Sequence, residues 1–222
     1  MNIKLCILNK TITFIRHAQG IHNEAEIKEG NNNILLGSID LEKKYLDSPL
    51  NKKGINESKE LSKELSKELN TYNIDLIVSS PLTRTLETAK YSLSEKIRKN
   101  CNFISTELCR ELIGIHTPDG RSNINKLKDK FSNIDFSLIK SNKDNLYTYI
   151  IEKEEDCYIR ANNFLIWLLK RPENNILVYS HRHFLRNLFN CIINKYNNLL
   201  TNDEIKKMSI DFKNCEFKTI HF

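Results

Sequence analysis

The chain has 222 residues, 40% hydrophobic and 28% charged. That size and balance fit one large α/β domain and argue against wholesale disorder. Its net charge of +6 comes from interspersed Lys and Glu, without a basic block carrying aromatics, which argues against nucleic acid and leaves a mildly positive field suited to small anions.

Six cysteines are scattered without a CxxC pair, as expected of apolar fillers in a reducing compartment. The apolar stretch Ile3 to Leu8 is broken by Lys4 and is too short for a signal segment. No window supplies the ~18 apolar residues of a membrane span. The expectation is a cytoplasmic protein with no membrane partner.

Thr11 to Asn23 reads TITFIRHAQGIHN, a short β-rich run that stops at Arg16-His17. A cation and an imidazole at the end of a buried strand sit where α/β sheets open their ligand crevice. Taken alone, the pair also fits a surface arginine and a core histidine. Residues from Gln19 to Asp47 are expected to be irregular, with Gly30 and Gly37 among several Asn. A helix then repeats Leu61, Leu65 and Leu69 between Lys and Glu. Asp75 to Ser80 reads as a second buried strand, and Pro81 opens a helix that carries Arg84 near its N-terminus. There, guanidinium donors and free backbone N–H groups together suit a phosphate.

A third strand is expected over Asn102 to Cys109, followed by Arg110-Glu111 and the turn His116 to Arg121. Residues 115–150 hold a helical piece, Ile124 to Phe131, and a polar loop, read as a lid over the crevice. An amphipathic helix spans about Glu152 to Lys170, acidic first and basic last, in keeping with the macrodipole. Asn175 to Ser180 is a fourth strand that turns at His181-Arg182-His183 into another helix. A helix near Asn202 to Met208 and a strand over Cys215 to Phe222 close a single domain, 1–222, without repeats or linkers.

The ordered motifs RHxxxxxN (Arg16, His17, Asn23), DSPLNKKG, SSPLTRTLETA (Arg84), Arg110-Glu111-Leu-Ile-Gly114 and Ser180-His181 resemble those of the histidine phosphatase superfamily, in its phosphoglycerate-mutase-like branch. The resemblance implies a mostly parallel central sheet with helices on both faces and an insertion over the C-terminal strand ends. Arg182 and His183 stand where the family pattern has small residues, the clearest departure in the chain.

Gathered at the ends of adjacent strands, Arg16, His17, Arg84 and His181 would enclose one small volume. Two guanidinium forks match a phosphate dianion, and fixed donors stabilise an in-line phosphoryl transfer. The resemblance implies His17 as nucleophile, His181 as a partly charged donor and Glu111 as proton donor and acceptor. Glu107 and Asp119 are rivals to Glu111 in the same polar loop. Asn23 would bind phosphate or fix the first loop. Arg182 and His183 add cations to the rim, Arg121 could grip the remote part of the substrate with His116 and Asp119, and His22 and His221 read as ordinary residues.

A zinc reading of His17, His181 and His183 is disfavoured, since two arginines at the same focus repel a cation. The expected function is therefore a metal-independent phosphomonoester phosphatase without a cofactor, acting on a small phosphorylated molecule or a phosphorylated side chain. The alternative is a phosphoglycerate mutase primed by 2,3-bisphosphoglycerate. The resemblance implies that mutases carry a longer Trp-Arg-Arg insertion, absent here between Glu111 and His181, although Arg121 could partly replace it. A catalytically weak phospho-ligand binder is the third reading, and the family allows a homodimer.

Overall fold

The computed structural model describes residues 1–5, 8–29, 44–68, 73–94, 97, 101–114, 116–148 and 150–222. Six strands form one sheet: β1 (Asn2–Lys4), β2 (Thr11–Arg16), β3 (Leu76–Ser79), β4 (Asn102–Ser105), β5 (Asn175–Ser180) and β6 (Phe217–His221). Their order is β1-β6-β2-β5-β3-β4. The block β2-β5-β3-β4 is parallel throughout, whereas β6 runs antiparallel to β2 and takes β1 with it. Strand β1 is not among the elements expected from sequence. Ile3 is 1% exposed, but three residues are too short a run to show a period.

Register sets up the site. Arg16 pairs with Ser180, and Ser79 with Tyr179, so His17, Ser80 and His181 emerge side by side at the carboxyl ends of three adjacent strands.

The helices are α1 (Ile21–Glu29), α2 (Lys52–Glu68), α3 (Thr83–Ser92), α4 (Ile124–Lys130), α5 (Glu154–Leu169), α6 (Arg182–Tyr196) and α7 (Asn202–Met208). One face of the sheet buries Phe164, Leu165 and Leu168 of α5 and Phe184, Leu185 and Leu188 of α6. The other buries Leu61 and Leu65 of α2, Leu86 and Ala89 of α3, and Ile124 and Leu127 of α4. Among the described residues no helix is long and apolar enough to cross a membrane.

Three expected elements change. The stretch after Gln19 is not irregular at its start, because α1 occupies Ile21–Glu29; Gly30, Gly37 and Leu69 lie outside the described residues. The third strand ends at Ser105, and a 3₁₀ turn takes Glu107–Cys109, capped by Thr106. Much of the segment expected as a lid is core: Phe131, Ile134, Phe136 and Ile139 join α4 beneath the sheet face.

Helix α2 is capped by Asn51, whose Oδ1 accepts the Gly54 N–H at 2.7 Å, while its own N–H donates to the Gln19 carbonyl at 3.1 Å. A Cβ on Gly54 would lie 2.1 Å from that carbonyl oxygen. Gly→Ala inside a helix ordinarily stabilises; here Gly54→Ala should cost about 1–3 kcal/mol, because a backbone atom must move. Thermal unfolding checks this, and an unchanged or higher Tm would contradict it.

Candidate active site

His17, 2% exposed, follows β2. Its Nδ1 lies 2.7 Å from the Ala18 carbonyl. A carbonyl only accepts, so Nδ1 carries the proton and Nε2 keeps its lone pair. Arg84 Nε donates to that lone pair at 3.3 Å. Burial, and then the charges of Arg84 and Arg16, hold the imidazole well below its ordinary pKa. The backbone is anchored too: Asn214 Nδ2 donates to the His17 carbonyl at 2.9 Å, and the Ala18 N–H donates to Thr88 Oγ1 at 3.0 Å.

His181 precedes α6, its ring centroid 5.1 Å from that of His17. Its Nε2 shares a 2.8 Å hydrogen bond with Ser80 Oγ, and its buried Nδ1 has no partner among the described residues. Burial and then Arg84 lower its pKa well below the ordinary value. Burial thus favours the neutral ring over the partial charge expected of His181.

Arg84, 1% exposed, is fully engaged. One terminal nitrogen donates to the Pro118 carbonyl at 2.6 Å and the other to Asp119 Oδ1 at 3.1 Å. The free N-terminal N–H groups expected beside it are partly taken: Asp47 accepts both the Thr83 N–H and Thr83 Oγ1 at 2.7 Å. Arg16 is less committed. One nitrogen donates to the Phe212 carbonyl at 2.8 Å, and its buried Nε lacks a partner among the described residues.

His17, Arg84 and Arg16 line a cavity of about 340 Å³ with Asn23, Glu111, Arg182 and His183, whereas His181 is not part of its lining. A larger open groove of about 1050 Å³, between α2 and residues 210–216, holds none of them. Asn23 serves the first loop, accepting the Gly20 N–H at 3.0 Å. Glu111 Oε1 accepts the N–H groups of Leu112 at 3.0 Å and Phe184 at 3.1 Å, and its Oε2 lies 3.8 Å from His183 Nδ1. Burial opposes ionisation of Glu111, but His183, the Leu112 N–H and Arg84 outweigh it and bring the carboxyl down to about 2. The same pairing raises the pKa of His183 against its burial.

Arg121 is not in the cavity. Its guanidinium pairs with Glu107 at 2.6 Å and donates to the carbonyls of Ser122, Ser141, Asn142 and Lys143. It braces the loop, which corrects its expected role as a substrate-binding residue. Glu107 is likewise spent on Arg110 and Arg121. From residues 115–150 the cavity receives His116, Pro118 and Asp119. Burial pushes the Asp119 carboxyl up to about 6, with Arg84 opposing. His22, read as ordinary, also faces the cavity, with its ring 6.0 Å from His17. Only its place in the first turn of α1 could have signalled this. Among the described residues no three His, Cys, Asp or Glu side chains gather to hold a metal ion.

The histidine phosphatase superfamily (branch 1) matches residues 12–219. Phosphoglycerate mutase-like protein 1 of Arabidopsis thaliana is 31% identical over 237 aligned positions, covering 95% of this chain and 80% of the relative. Phosphoglycerate mutase-like protein 2 of the same plant is 30% identical, covering 95% of this chain and 73% of the relative.

Among solved structures, a phosphoserine phosphatase from Entamoeba histolytica in complex with 3-phosphoglyceric acid aligns with a TM-score of 0.53 at 18% identity, covering 95% of this chain and 89% of that one. A mycobacterial glucosyl-3-phosphoglycerate phosphatase aligns at 0.56 and 15% identity, with the same coverage of 95% and 89%. Those two likenesses concern the fold. With its signature residues gathered at the strand ends and the family match spanning nearly its whole length, the chain belongs to branch 1 of the histidine phosphatase superfamily.

Proposed function

We propose that this protein is a metal-independent phosphomonoester phosphatase that works through a phosphohistidine on His17. The observation that carries the reading is the tautomer of His17: Nδ1 is tied to a carbonyl, and Nε2 is unprotonated beside Arg84 and His181. A phosphate entering the cavity would take over Arg84 from Asp119 and meet the free Nε of Arg16. Attack by Nε2 forms the N–P bond as the ester P–O bond breaks, and water then reverses the N–P bond formation. Proton transfer belongs to the Glu111 side of the cavity.

A volume of about 340 Å³ favours a small phosphorylated molecule over a phosphorylated side chain on a folded protein. Phosphoglycerate mutase is the second reading, supported by the names of the plant relatives. Against it stands Arg121, the residue that could have gripped a substrate carboxylate, which is wholly engaged in its loop.

Phosphorus NMR with 3-phosphoglycerate, a trace of the bisphosphate and EDTA separates the two, followed by an aryl phosphate. Growth of inorganic phosphate is the expected result. A 2-phosphoglycerate signal without phosphate release would establish the mutase instead.

A further inference from the structure

We infer that His22 and His116 form a second subsite in the cavity, which hydrogen-bonds hydroxyl groups on the alcohol half of the substrate. The esters taken here are then the monophosphates of small polyhydroxy compounds. This rests on the phosphatase reading above.

Buried polar atoms in folded proteins almost always have hydrogen-bond partners, because an unpartnered one has given up water without return. Among the described residues, three unpartnered buried atoms belong to side chains that line this cavity: Arg16 Nε, His22 Nδ1 and His116 Nδ1. A bound phosphate accounts for Arg16. It does not account for the two imidazoles, one in the first turn of α1 and the other at the start of the Thr117–Asp119 turn.

His22 is 6% exposed, yet its side chain makes no hydrogen bond among the described residues. Its ring leans on Gly20, where a Cβ would lie 2.7 Å from both Cε1 and Nδ1. With Nδ1 turned to the backbone, Nε2 is the edge left for a ligand. The ring centre is 6.0 Å from that of His17. That spacing puts it beside a phosphate on His17 and alongside the alcohol half of an ester. His116 comes from a different element, close enough for its charge to be felt at His22.

The surrounding charges disfavour either kind of ion at this subsite. Arg84 and Arg16 face His22 and repel an ammonium group. Asp119 of the turn, and Glu26 one helical turn along α1 from His22, line the same cavity and repel a second anion. Burial, and then the two arginine charges, favour the neutral His22 ring. A neutral imidazole offers one N–H and one lone pair, the two things that a hydroxyl accepts and donates to. A hydroxyl-bearing chain satisfies such groups, whereas a plain alkyl chain leaves them stranded.

The test compares glycerol 3-phosphate with propyl phosphate, which has the same carbon chain without the hydroxyls. Steady-state kinetics give kcat/KM for both esters in wild type, His22→Phe and His22→Gln. Calorimetry gives Kd for both in His17→Ala, with and without His22→Phe. Wild type should prefer the glycerol ester by roughly 10²-fold or more, the direction expected where polar groups of a site would be left unpaired. His22→Phe should bring that ratio to within about tenfold of unity, most of its loss falling on the glycerol ester. His22→Gln, which keeps a donor and an acceptor, should restore much of the preference. If His22→Phe does not fold, Gly20→Ala gives the same readout, since its methyl takes the place of the ring edge. A wild-type protein without preference, or a His22→Phe variant with the wild-type ratio, overturns the subsite. Wild type that cleaves neither ester, while His17→Ala binds the glycerol ester more tightly only when His22 is present, overturns the phosphatase reading and upholds the subsite.

Discussion

His17→Ala is expected to lower kcat by roughly 10⁴-fold or more on every phosphomonoester, because the step it removes is covalent and no neighbour can replace it. His22 is the nearest imidazole outside the phosphate cluster, and its centroid separation of 6.0 Å puts it beyond substitution. His181 is closer, but its Nε2 is held by Ser80. The fold should survive, since His17 contributes to the interior chiefly through its backbone bonds to Asn214 and Ser180, which alanine retains. Rapid quenching of wild type with substrate should trap a phosphoryl group that is stable to alkali and lost in acid, absent from the variant. Substantial turnover by His17→Ala would end the phosphohistidine mechanism.

Arg84→Met should reduce kcat/KM roughly 10²–10³-fold, the range for losing one fixed donor to developing charge. It should also destabilise the protein by about 3–5 kcal/mol near neutral pH, since Asp119 would keep a buried charge without its partner. The pH dependence comes from the direction of the Asp119 shift. Its folded pKa, already up at about 6, rises further without Arg84. The folded variant then binds a proton that the unfolded chain releases, so the deficit is greatest above that raised pKa and shrinks as pH falls. Arg84→Met/Asp119→Asn should recover most of the stability and none of the activity. Denaturant unfolding at two pH values and steady-state kinetics check both halves. A double variant no more stable than the single one would show that the Arg84–Asp119 pair is not what the substitution breaks.

Strand-end residues were the most legible part of this chain. Apolar runs closing on Arg16-His17, Ser80 and Ser180-His181 carry their own register, and β2, β5 and β3 deliver these residues to one place. Helices with a strong Leu or Phe stripe, α2 and α5, were legible for the same reason. What escaped depends on long-range pairing. Arg121 reads as a free cation in sequence, yet Glu107 and four carbonyls claim it. Glu111 reads as an acid, and only the fold reveals that Phe184, across the sheet, donates to it. Helix α1 was missed because it gives only Ile21 and Ala25 to a small apolar cluster with Tyr45 and turns His22 and Asn23 to the cavity. A helix that serves a site instead of a core leaves no apolar period.

Asp119 on Arg84 bears on product release, the stage after chemistry. On the phosphatase reading, departing inorganic phosphate would not leave the guanidinium facing an empty, low-dielectric space, since the Asp119 carboxylate could return to it as a resident counter-ion. Release would then be an exchange of one anion for another, which should weaken product inhibition and keep stray chloride or sulfate from lodging beside Arg84. The same exchange would make acidity a lever on inhibition: burial pushes the Asp119 carboxyl up to about 6, so protonation below that pH should withdraw the counter-ion and let bound anions linger.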